Sequence, residues 1–155
     1  MEVDRLRRTY EELLAVIDAG GFGPPPEGQL GAEQTVAHLV TNDELMIEAT
    51  EAVIAGSPYA YYDLETVHRP EVDSLVAEYG GLAGLAALLR ATSQELVTLV
   101  DGLGPAAETP VDTHLREGYD LNVDEPLPWG RVLDLHARVH LPRHLAHLRT
   151  LRPHT

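Results

Sequence analysis

Four of the eight histidines fall in one C-terminal stretch, at His136, His140, His144 and His147 between Trp129 and Arg152. On an α-helix successive residues turn by about 100°, so positions four apart drift by only about 40° and the imidazoles share one stripe. Imidazole is the commonest metal ligand, and two of them at i and i+4 can chelate one ion. A further histidine, His38, is flanked by Val36, Ala37, Leu39 and Val40 in an earlier helical segment, with Asn42 one turn on along the same face. His38, His140 and His144 are therefore the candidate metal ligands. Three neutral imidazoles suit Zn²⁺, Ni²⁺ or Fe²⁺, and a three-ligand set leaves positions for water or substrate, as catalytic zinc sites do. The same stripe also reads as a solvated polar face or a pH-responsive surface, because imidazole titrates near pH ~6.5. His114 has no comparable surroundings and is expected at the surface.

The elements that must position these residues follow from periodicity. Val3, Leu6, Tyr10, Leu13, Leu14 and Ile17 recur at spacings of three and four, which predicts an amphipathic helix closed by Gly20 and Gly21. A proline-rich connector follows, and a second helix is expected from Glu33 to Ala55, stopped by Gly56-Ser57-Pro58. Tyr59 to Asp63 is the one aromatic concentration, suited to walling a pocket or covering an interface. Arg69-Pro70-Glu71 reads as the start of a short helix ending at Gly80-Gly81. A leucine-rich helix from Leu82 to Val100 comes next. Val111, Thr113 and Leu115, then Tyr119, Leu121 and Val123 beyond a turn at Gly118, alternate with polar residues and predict a small hairpin or extended excursion. Pro126 and Pro128 are expected to introduce the last helix, which Pro142 should kink by deleting a helical hydrogen bond. Four long amphipathic segments with one excursion imply a single all-α domain over residues 1–155, a four-helix bundle.

Composition narrows the function classes. A formal charge of −14, with arginine as the only strong base, argues against nucleic acid or an anionic membrane as partner. With no cysteine there can be neither a disulfide nor a cysteine nucleophile, and thiol chemistry would need a thiol from outside. No leader or run of ~20 apolar residues is evident, so a cytoplasmic location is expected. The serines sit in no nucleophile-elbow context, and the glycines around Gly80 lack the spacing of a nucleotide-binding fingerprint.

Thr35-Val36-Ala37-His38-Leu39-Val40, with His140-Leu141-Pro142-Arg143-His144-Leu145-Ala146-His147-Leu148-Arg149, resembles the DinB/YfiT-like superfamily. The stretch from Tyr62-Asp63 to Leu103, with Tyr79-Gly80 before its leucine-rich helix, is more similar to the mycothiol-dependent maleylpyruvate isomerase branch. The resemblance covers nearly the whole chain in order of elements and rests on three histidines and their spacing. It implies an up-down-down-up DinB-like bundle holding a divalent metal on His38, His140 and His144. It further implies a thiol-dependent transferase, isomerase or hydrolase using mycothiol, bacillithiol or glutathione on a small-molecule substrate. Asn42, His136 and His147 would then be orienting or acid/base groups. His147 departs from the pattern of the family, which commonly has glutamine near that position. A non-catalytic metal-binding or interaction bundle is the alternative, and a homodimer is compatible with the surplus of apolar residues.

Overall fold

The computed structural model describes residues 3–117 and 121–153, leaving aside the side chains of 63–69, 71 and 117. Helix α1 spans Val3–Ala19 and buries Leu6, Tyr10, Leu13 and Ile17, the stripe that its three- and four-residue spacing demands. Gly20, at φ +64°, ends it in the left-handed conformation that glycine tolerates. Helix α2, Ala32–Ala55, starts where the Gln34 side chain accepts the Gly31 amide and ends at Gly56, whose φ is +71°. From Thr35 to Asp43 it is buried on every side, which makes it the central element.

Helix α3 occupies Glu65–Tyr79 and begins before the Arg69-Pro70-Glu71 start expected from the sequence, so Pro70 falls inside it. Helix α4, Leu82–Asp101, buries Leu85, Leu89, Thr92, Leu96 and Val100 and packs on both α1 and α2. A C-terminal helical run follows in three consecutive pieces. These are α5 at Trp129–Leu135, a π-helical turn at His136–His140 and α6 at Leu141–Thr150. The end of this run is tied to the end of α1: the Arg152 guanidinium donates to the carbonyls of Val16 at 2.6 Å and Gly20 at 3.1 Å. A cation there complements the free carbonyls of a helix C-terminus.

The expectation of an all-α chain is corrected, because the mostly helical fold also carries a three-stranded sheet. Strand β2, Pro110–Glu117, and strand β3, Leu121–Pro128, form the antiparallel pair expected between the long helices. Gly118, where the turn was expected, and Tyr119, expected to open the second alternating segment, lie outside the described residues. Strand β1, Ala60–Leu64, was not expected; it joins β2 in parallel, Ala60 opposite Asp112. Five residues rich in tyrosine read as strand only once their partner, some fifty residues later, is known. Pro126 and Pro128 close β3, and Pro128, which caps α5, introduces the last helical run as expected. Proline is tolerated there because β3 is an edge strand. Among the described residues no helix is long and apolar enough to cross a membrane.

Candidate metal centre

Trp129 anchors the run that carries three of the site histidines. Its ring is fully buried, its indole N–H donates to Thr50 Oγ1 of α2 at 2.8 Å, and its edge meets the Tyr61 ring. At Gly130 an added Cβ would stand 3.1 Å from the Ala107 Cβ, so the start of α5 lies close against the preceding 3₁₀ turn, Gly104–Glu108. Farther along, the kink expected at Pro142 takes another form. The Leu141 amide bonds back to the His136 carbonyl, five residues away, and Pro142 lies in the first turn of α6. A proline ring crowds the carbonyl four residues before it, here that of Arg138, and a widened turn relieves that contact. Such a turn holds more than 3.6 residues, so side chains four apart come closer to line than in an α-helix.

His38 from α2, His140 from the π turn and His144 from α6 converge. His140 Nε2 is 3.4 Å from His38 Nε2 and 3.1 Å from His144 Nε2, and the His38 and His144 ring centroids are 4.9 Å apart. One nitrogen from each of the three lies within 4.8 Å of the others, and the group could hold a metal ion. The spacing fits such an ion: two nitrogens at ~2.0–2.1 Å from one tetrahedral zinc are themselves about 3.3 Å apart. His38 and His140 are buried and His144 is partly exposed.

On the inner side of His140 lies a polar frame buried between the helices. His140 Nδ1 is 2.9 Å from His136 Nδ1. The Asn42 amide nitrogen faces the same two atoms at 3.3 and 3.4 Å, and its carbonyl accepts the Tyr61 hydroxyl of β1. On its other edge, His136 Nε2 is 2.7 Å from the Tyr10 hydroxyl of α1. Tyr10 donates in turn to Asp43 Oδ1, and Thr92 of α4 donates to Asp43 Oδ2 at 2.9 Å. Asp43 is wholly buried, and desolvation pushes its carboxyl up to about 7, against the opposing effect of the Tyr10 and Thr92 hydrogen bonds. Burial, and then the Asp43 charge, raise the Tyr10 phenol well above its ordinary value.

Asn42 and His136 thus stand beside the triad. His147 is engaged elsewhere, its Nε2 lying 2.7 Å from the Leu30 carbonyl, where it ties the loop before α2 to α6. His114 is half-buried on the sheet, paired with Asp112 and Asp124 and stacked on Tyr62. The hydrogen bond to Asp112 comes first among the causes that raise its pKa.

Tyr10, Tyr61, Asp43 and Thr92 were not among the expected site residues. Tyr10, Asp43 and Thr92 carry one signal in common: each is a polar group at a position the apolar period assigns to the core. Asp43 follows Val36 and Leu39 by seven and four, and Thr92 follows Leu89 by three. No known protein family, characterised protein or solved structure matches the chain.

Proposed function

We propose that the chain is a metal-dependent enzyme of the DinB-like superfamily, a thiol-dependent transferase, isomerase or hydrolase acting on a small molecule. In this reading α1, α2, α4 and the α5–α6 run are the four helices of a DinB-like bundle, and the sheet is an addition to it. His38, His140 and His144 are the ligands of Zn²⁺, Ni²⁺ or Fe²⁺. The observation that carries the proposal is the meeting of imidazoles 102 positions apart, at distances that suit one ion.

A divalent ion on three imidazoles supplies Lewis acidity toward a substrate oxygen and favours the thiolate form of an incoming thiol. The protein's own residues do the positioning. Asn42, held by Tyr61, fixes the inner edges of His136 and His140. The chain has no thiol of its own to compete for the ion, which accords with a thiol drawn from solution.

Metal analysis of untagged protein tests the reading directly. One equivalent of divalent metal is expected in the parent and a small fraction of that in His38→Ala; no stoichiometric metal in the parent removes the proposal. The burial of His38 and His140 favours a second reading, a metal-binding bundle without turnover. Metal-loaded protein given a low-molecular-weight thiol and an electrophilic acceptor separates the two. Conjugation or isomerisation supports the enzyme, and retained metal without conversion supports the binding role.

A further inference from the structure

We propose that Asp43 and Tyr10, acting through His136, are positioning residues that hold His140 in the one tautomer able to ligate a metal. The inference rests on the metal-centre reading above and concerns groups that no metal would touch. A neutral imidazole carries one hydrogen, on Nδ1 or on Nε2, and only the bare nitrogen can be a ligand.

The hydrogen bonds can be followed from the acceptor-only end. Ionised Asp43 has no hydrogen to give, so the Tyr10 hydroxyl spends its single hydrogen on Oδ1. The Tyr10 oxygen, 2.7 Å from His136 Nε2, must then accept, which places the His136 hydrogen on Nε2 and leaves Nδ1 bare. His136 Nδ1 lies 2.9 Å from His140 Nδ1, a separation at which two lone pairs repel and one hydrogen must lie between. That hydrogen belongs to His140. Its Nε2 is consequently bare, on the edge that faces His38 and His144. Asn42, oriented by the Tyr61 hydroxyl on its carbonyl, faces His136 Nδ1 at 3.4 Å and His140 Nδ1 at 3.3 Å and can donate to whichever is bare, so the order is set from the Asp43 end. Histidine ligands elsewhere are oriented by a carboxylate or carbonyl on their second nitrogen; here the carboxylate acts through a tyrosine and a second histidine.

Two measurements at pH 8, above the Asp43 pKa of about 7, test the inference. The first is the imidazole ¹⁵N spectrum of the metal-free protein, which distinguishes the tautomers without any substitution. His140 is expected as the Nδ1–H form and His136 as the Nε2–H form, and the reverse assignment overturns the inference. The second is zinc affinity by chelator competition for the parent, Tyr10→Phe and Asp43→Leu. Each variant is expected to bind zinc about 10- to 100-fold more weakly, the size of effect known for groups behind a ligand. In Asp43→Leu, where the Tyr10 hydroxyl is left with His136 Nε2 as its acceptor, His140 should move toward the Nε2–H form in the same spectrum. Variants with parental affinity and an unshifted His140 tautomer overturn the inference while leaving the metal centre standing. A parent that binds no zinc overturns the metal reading, and the ¹⁵N spectrum still decides the tautomer.

Discussion

Asp43 is the residue at which burial and charge are most directly opposed, and its cost can be read without any metal. Its pKa is about 7 in the fold against ~3.9 in an unfolded chain. Between those values the native state holds the proton and the unfolded state does not, so stability falls as pH rises. The loss begins near pH 4 and is complete above pH 7, and it amounts to at most roughly 4 kcal/mol at 1.36 kcal/mol per unit. Asparagine keeps the shape and removes the titration. Melting temperatures of metal-free parent and Asp43→Asn, taken from pH 4 to pH 8, should therefore diverge, with the parent declining relative to the variant. Parallel curves would show that the carboxylate ionises in the fold as readily as in the open chain.

The element that governs the site is the π-helical turn at His136–His140. It brings His136 and His140 edge to edge and hands the chain to α6, where His144 follows. Pro142 is the residue whose ring the widened turn accommodates, so Pro142→Ala lets ordinary α-helical bonding compete with it. We expect the variant to keep or raise its melting temperature, since a helix-breaking ring is gone, while zinc affinity falls about tenfold as His140 loses alignment with His136. Unchanged affinity in the variant would show that the turn persists without the proline. A departure from regular helix near Pro142 was legible in the sequence because proline's missing amide is a local property. Its conversion into a wider turn was not, since that depends on how the helix packs around its histidines. Likewise α1, α2 and α4 were legible from the spacing of Leu6, Leu39 and Leu89 with their neighbours, whereas β1 depends on a partner strand that no local pattern names. His140 and His144 were visible as a pair because four-residue spacing on a helix is geometry in itself, and His38 joined them as an apolar-flanked histidine on an earlier helix. Tyr10, Asp43 and Thr92 were hidden in apolar stripes, where an inward polar residue shows its meaning only beside its partner.

Across the whole molecule, the candidate ligands join α2 to the C-terminal helical run, so an ion there would bind the folded chain and hardly the open one. Zinc at a hundred times its dissociation constant would add about 2.7 kcal/mol by mass action. For a chain of this size that corresponds to a rise of roughly 5–10 °C in melting temperature. A thermal scan with and without zinc should show that rise in the parent and none in His140→Ala. An equal rise in both would locate the binding elsewhere.

Tyr61, which turns the Asn42 amide, sits on β1, and β1 finds its partner only after about fifty further residues have been laid down. The helices can associate early, with α2 meeting α3 and α4 soon after it in the chain, whereas the parallel pairing is a distant closure that is intrinsically slow. The frame around His140 needs closures more distant still, Tyr10 to His136 across 126 positions and His38 to His140 across 102. A half-folded chain with its sheet paired and its C-terminal helical run undocked would hold Tyr61 beside Asn42 with no imidazoles to order, so competence for the ion arrives with the last helix.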